Sequence, residues 1–240
     1  MNINKKVSFW LILIFVISTG FFYFCKNSHP TISEILIAIL TGSFVSMVIS
    51  IINYLHEKEE FLNNLFYRGA FIYSYLEQIK QLVININETS NLKYAINSLV
   101  GYSSSLDDLI TNINFANYSP INLYSKEYKT ANYVQGLHTI IQQYIIFSIN
   151  IINKLNLDID LKRLINLPTY EIEKLQKQIK DEINTLKKNV ENIQADYLKN
   201  MNDLHTITKN KIRWKDTIKA IDKFTPENVK EYVKTSINQH

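Results

Sequence analysis

From Val7 to Cys25 the chain reads VSFWLILIFVISTGFFYFC, nineteen residues without a charge, and a second uncharged run extends from Ile35 to Leu55. Each meets the ~20-residue length that a helix needs to cross the hydrocarbon core of a bilayer. Only KNSHPTISE separates them, with Pro30 and polar residues marking a tight turn. Backbone polar groups in lipid must be bonded within their own segment. The pattern therefore predicts a transmembrane helical hairpin over residues 1–56, with helices at about 7–25 and 33–55.

Beyond Leu55 the apolar positions change from a continuous run to a helical stripe. Leu62, Leu65, Gly69, Ile72, Leu76, Ile79, Val83 and Ile86 alternate steps of three and four, which is a heptad seam. The second apolar helix is thus expected to run on as a rod to about Asn87, roughly 80 Å at 1.5 Å per residue. Gly69 is its weakest point, either a bend or a close helix contact. A second seam joins Leu92, Ala95, Leu99, Tyr102, Leu106, Leu109, Ile113 and Ala116, and Pro120 in NYSPIN ends that helix. A third joins Val134, Leu137, Ile141, Tyr144, Ser148, Ile151 and Leu155. Its YIIFSINII run is apolar almost all round, which predicts the most buried helix of the set.

NLDIDLKRLINLP reads as a less regular link to Pro168, with Thr169 placed to cap the next helix. Ile172, Leu175, Ile179, Ile183, Leu186, Val190, Ile193, Tyr197, Met201 and Leu204 mark that helix, and Thr225-Pro226-Glu227 starts a last one. The expected fold class is all-α: the hairpin, then a domain over 57–240 built as a long-helix antiparallel bundle. An extended coiled coil between copies is the alternative. The predicted helices of this domain lie at about 57–87, 91–116, 126–156, 169–208, 211–223 and 226–237.

Basic residues near the apolar runs set the orientation. Lys5 and Lys6 precede the first run, Lys26 lies in the turn, and Lys58 and Arg68 follow the second. This places both termini in the cytoplasm and predicts a two-pass protein of the cell membrane. A cleaved signal peptide fits less well, because Phe22 and Phe24 stand where a cleavage site needs small residues.

The second run also carries a small residue at every fourth position: Ala38, Gly42, Ser46 and Ser50. Small side chains let another helix approach closely in lipid. The partner is either the first helix, through Ser18, Thr19 and Gly20, or a second copy of the chain.

Five glycines and four prolines in 240 residues exclude a turn-rich β architecture. Cys25 is the one cysteine, so no intramolecular disulfide forms. The net charge of +4 is mild, but residues 209–223 concentrate it, with six basic residues against two acidic ones. Lys209, Lys211, Arg213, Lys215 and Lys219 surround Trp214. A helix of that composition fits contact with anionic lipid, ahead of nucleic acid because the chain is already tethered to a bilayer. The favoured expectation, ahead of lipid contact, is a solvated helix whose Ile212, Ile218 and Ile221 pack on the bundle with Trp214 beside them.

No phosphate loop, nucleophile elbow or zinc-type cysteine pair is present. His56 with Glu59 and Glu60, Asp158 with Asp160, and Asp107 with Asp108 offer carboxylates or an imidazole, but each set reads as a solvated surface. His138 reads as a partly buried, hydrogen-bonded histidine. No catalytic residue, metal or cofactor is assigned, and the expected role is a non-enzymatic membrane-anchored interaction or scaffolding module. Its expected partners are the lipid bilayer and, through the helical seams, a second copy or another protein. An enzyme using dispersed groups such as His138 or Asp158 is the opposing class.

In layout, the apolar pair over Val7–Leu55, the helix that follows it and the small-residue stripe resemble bacterial two-helix membrane effectors, including those of phage-defence systems. That resemblance implies oligomerisation and breach of the membrane on a signal.

Overall fold

The computed structural model describes residues 3–26, 30–86, 92–115, 118, 125–165, 168–212, 214 and 216. Every regular element among them is helical. In chain order these are α1 (Ile3–Cys25), α2 (Pro30–Asn85), α3 (Leu92–Thr111), α4 (Lys126–Ile140), a π-helical segment (Ile141–Ile146), α5 (Phe147–Leu164) and α6 (Thr169–Thr208). The described residues fall into two compact units. One takes Met1–Asn63 and Asn114–Leu123, and the other takes Asn64–Ile113 and Tyr124–His240.

Helix α2 is 56 residues long and continues unbroken from the apolar run into the heptad seam. Its first residue is Pro30, whose missing N–H falls where a helix has no internal acceptor for it. Ser33 Oγ donates to the Pro30 carbonyl at 2.7 Å, and Thr41 Oγ1 to Ile37 at 2.9 Å. Thr19 Oγ1 of α1 does the same to Phe15 at 2.7 Å. Hydroxyls bonded one turn back satisfy themselves, which lets them sit in an apolar segment at little cost. Within this first unit, Phe61 stacks on Tyr118 at 4.8 Å and meets the edge of Phe115 at 5.5 Å.

The core of the second unit follows the predicted stripes in part. Every residue of the α2 seam within this unit, from Leu65 to Ile86, is buried. Helix α6 begins and ends where expected, and Ile179, Ile183, Leu186, Val190, Ile193, Tyr197, Met201 and Leu204 are all buried along it. Thr169 does not cap it; Pro168 holds the cap position and Thr169 is already helical. The first turn is fixed instead by Lys162 Nζ on Glu171 Oε2 at 2.5 Å.

Two stripes depart from the expected seams at particular positions. In α3 Ala95, Leu99 and Leu106 are buried as expected, as is Ile113 beyond its end, but Ser103 and Ile110 take the core places expected of Tyr102 and Leu109, which lie half-buried. Ser103 enters the core because its hydroxyl bonds the Val100 carbonyl at 3.1 Å, while a tyrosine keeps its polar end near water. In the third stripe the π-helical segment is the cause. A π turn holds more residues than an α turn, so the centre of the buried face after Ile141 shifts by about one residue, although Ser148 of the expected seam stays buried. Ile145, Ile149, Ile152, Asn156 and Ile159 are buried, and Tyr144 and Phe147 are 54% and 61% exposed. The helix expected to be most buried thus carries an exposed aromatic face.

The link read as irregular is helical to Leu164. Asp160 within it pairs with Lys93 at 2.7 Å. Residues 211 and 212 form a bend, and Trp214 and Asp216 just beyond it are helical. The predicted helix at 226–237, the rest of 211–223 from 217 onward, Arg213, Lys215, Lys219, most of the turn at 26–30 and Pro120 lie outside the described residues.

Candidate functional site

Three parts of the molecule bear on function: the apolar helix surface, a buried polar cluster, and the exposed features of the second unit. Helix α2 is long and apolar enough to cross a membrane; its most apolar 18-residue window has a mean hydropathy of 2.6 and is only 11% buried. A core helix of a water-soluble domain would be mostly covered. Phe44, Val45, Val48, Ile49, Ile51 and Ile52 are instead exposed, as are Phe9, Trp10, Val16, Ile17 and Phe21 of α1. Leaving such side chains in water would forgo roughly 1.5–3 kcal/mol each.

The covered positions of these helices form heptad rows. In α2 they are Leu36, Leu40, Ser43, Met47, Ser50 and Tyr54, and in α1 they are Leu11, Phe15, Ser18, Phe22 and Cys25. Phe15 and Phe44 bring their ring centroids to 6.3 Å. The small residues at the covered positions are therefore Ser18, Ser43 and Ser50. Ala38, Gly42 and Ser46 are exposed, and a Cβ built on Gly42 meets nothing within 4 Å. Geometry explains the split. Four residues turn about 400°, so each step along the row advances about 40° round the helix. The row leaves the exposed side and reaches the covered side only at Ser50.

In the second unit, Gly69 is a point of close approach. A Cβ there would lie 2.5 Å from Met201 Cε, 3.1 Å from Tyr197 Oη and 3.5 Å from Trp214 Cζ3. Tyr197 Oη also lies 3.1 Å from His138 Nε2, and both residues are buried. Burial pushes the imidazole down to about 4 and the phenol upward, so the pair is neutral near pH 7. Beside it, Gln194 Nε2 donates to Glu77 Oε2, and Gln81 Nε2 donates to Glu77 Oε1 at 2.7 Å. Burial raises the Glu77 carboxyl, but these amides and the Lys80 ammonium outweigh it and hold the group below the usual range. Lys80 Nζ donates to Gln194 Oε1 at 3.1 Å. Gln142 Nε2, within the π segment, donates to Asp107 Oδ1 at 2.8 Å. The bonds of Gln194 with Glu77 and Lys80 join α6 to α2, and that of Gln142 with Asp107 joins the π segment to α3.

The predicted lipid-contact segment is split by the structure. Lys209 has φ 50°, the left-handed conformation that ends α6. The chain then turns back: Ile212 N donates to Asn210 Oδ1 at 2.8 Å, and His205 Nε2 lies 2.7 Å from the Ile212 carbonyl. Trp214 is fully buried, its indole N–H donating to Asn202 Oδ1 at 3.1 Å and its ring 6.1 Å from Phe66. Its ring has no surface to offer a bilayer. Trp214 is helical, as expected, and its burial agrees with packing on the bundle rather than with lipid contact; nothing in KNKIRWK announces the left-handed turn at Lys209 that precedes it.

Among the described residues, no three His, Cys, Asp or Glu side chains come together in a group that could hold a metal ion. No protein-family model, curated protein or solved structure matches the chain.

One surface feature escaped the sequence reading. Leu157, Leu161, Leu164 and Ile165 follow i, i+4, i+7, i+8 spacing along α5 and its end, and they are 53, 59, 78 and 67% exposed. Tyr170 at the start of α6 is 66% exposed. The signal was present in NKLNLDIDLKRLI, but the stretch reads as a link if helix is not extended through it.

Proposed function

We propose that the chain is a membrane-anchored, non-enzymatic α-helical module whose second unit binds another protein chain. The strip of Leu157, Leu161, Leu164 and Ile165 carries this reading. Apolar residues at that spacing form the face with which one amphipathic helix engages another, and contiguous apolar surface of this kind marks interaction sites. The anchor is the α1–α2 pair, a two-pass hairpin supported by the facing heptad rows and the Phe15–Phe44 contact. Both termini are cytoplasmic by the placement of Lys5, Lys6, Lys58 and Arg68. The second unit is an antiparallel bundle. Lys93–Asp160 ties the start of α3 to the end of α5, and Asp107–Gln142 ties the end of α3 to the π segment before α5. The non-enzymatic reading is supported by His138, Tyr197, Asp107 and Asp160, whose polar atoms are engaged in packing bonds. The test is recovery from gently solubilised membranes. The wild-type chain should elute as a complex, and Leu161→Glu with Leu164→Glu should elute as a monomer. Monomer from both would overturn the reading.

A second reading is an oligomerising, membrane-disrupting effector, in keeping with the resemblance in layout. It is favoured by the exposed positions of Ala38, Gly42 and Ser46, which leave a narrow face free for a second copy. Induced expression should then collapse the membrane potential, and Gly42→Ile or Ser46→Ile should abolish the effect. Cells that keep their potential at high expression would count against it.

A further inference from the structure

Helices α2 and α3 of the second unit wall an open groove of about 480 Å³, lined by Asn64, Tyr67, Arg68, Phe71, Tyr75 and Asp108, with Ser105 and Leu109 beside them. Its size is that of a small-molecule site. Its charges are its distinctive feature. Arg68 is half-buried, and its Nε donates to the neutral Asn64 Oδ1 at 2.8 Å. Among the described residues Arg68 makes no ion pair. Asp108 is exposed and accepts from Asn112 Nδ2 through Oδ1 at 3.0 Å. One groove thus holds a guanidinium and a carboxylate that are not paired with each other. The aromatic wall includes Tyr67 and Phe71, whose centroids lie 5.1 Å apart edge to face, and Tyr75.

We propose that this groove binds a small zwitterion in which a phosphate is joined to an ammonium by a short linker. The planar fork of Arg68, steadied by Asn64, suits a phosphate oxygen pair. Asp108 and the aromatic lining of Tyr67, Phe71 and Tyr75 suit the ammonium, which is drawn to a carboxylate and to aromatic rings alike. A plain anion would meet Asp108 and a plain cation would meet Arg68, so each half alone is opposed by one of the two charges. The open shape limits contact area, which sets the expected dissociation constant in roughly the millimolar range. The same chemistry has two sources, the head of phosphatidylethanolamine in a bilayer and free phosphoethanolamine in solution.

The test uses the full chain in a non-ionic detergent, titrated calorimetrically with phosphoethanolamine, inorganic phosphate and ethanolamine. Phosphoethanolamine should saturate and bind at least tenfold more tightly than either half. Arg68→Gln and Asp108→Asn should each weaken it at least fivefold while leaving the melting temperature unchanged. In nanodiscs of phosphatidylglycerol with added phosphatidylethanolamine, native mass spectrometry reports the lipid source. Retention of phosphatidylethanolamine by the wild type but not by the two variants assigns the ligand to the bilayer. Saturation by the soluble compound without retention assigns it to solution. The proposal is overturned if neither form binds, if a half binds as tightly as the whole, or if both variants bind like the wild type. None of these readings depends on whether the chain assembles with a partner.

Discussion

Replacing Gly69 with alanine sets two opposed effects against each other at one position. In an exposed helix the change would stabilise by about 1 kcal/mol through lower backbone entropy in the unfolded chain. Here the new methyl falls 2.5 Å from Met201 Cε, about 1 Å inside ordinary carbon contact. Met201 is flexible, but it is fully buried, as are Tyr197 and Trp214 around it. Tyr197 Oη, at 3.1 Å, is itself held by His138. Overpacking of a filled core costs about 1–3 kcal/mol, which exceeds the propensity gain. We expect a net loss of about 1–2 kcal/mol, and a melting temperature lowered by about 2–8 °C for a chain of this size. The assay is thermal unfolding followed through Trp214 fluorescence in a Trp10→Phe background. Removing the hydroxyl with Tyr197→Phe should relieve part of the clash, giving a coupling of at least about 0.5 kcal/mol in the double-mutant cycle. A Gly69→Ala chain that melts higher than wild type would refute the close-approach account.

Two more outcomes follow from the same core. His138 is held at about 4 against an ordinary 6.5, so the unfolded chain takes up the proton first. Its contribution is complete above about pH 6.5 and is lost as pH falls to about 4, at about 1.4 kcal/mol per unit and ~3 kcal/mol in all. Denaturant midpoints at pH 7.5 and 4.5 should therefore converge in His138→Gln relative to wild type, and an unchanged difference would contradict the buried neutral histidine. Trp214→Ala should cost about 3–5 kcal/mol and expose the chain near residue 209 to proteolysis. A small change in stability with a large change in vesicle binding would instead return Trp214 to the membrane surface.

Much of the fold was legible because long helices announce themselves by period. The bounds of α6 and the α2 seam from Leu62 to Ile86 were readable from apolar spacing alone. What escaped were local departures from 3.6 residues per turn. The π segment IQQYII contains nothing that marks it as π rather than α, yet it shifts the buried face that follows by about one residue and leaves Tyr144 and Phe147 at the surface. The small-residue row drifts for a related reason. Spacing of four looks like one face over a short stretch, but the row drifts from exposed Ala38 to buried Ser50. Asp107, Asp160 and His138 could be singled out as polar, but their partners Gln142, Lys93 and Tyr197 are 35, 67 and 59 residues away in sequence. No local pattern encodes pairings of that separation.

The central claim is that two apolar helices cross the membrane and leave the helical unit in the cytoplasm. With Cys25 changed to Ser, single cysteines at Ser28 and at Glu60 can be labelled in intact cells with a membrane-impermeant maleimide. The account predicts that Ser28→Cys is labelled from outside and that Glu60→Cys is labelled only after permeabilisation. Labelling of Glu60→Cys from outside, or protection of both until permeabilisation, would contradict it.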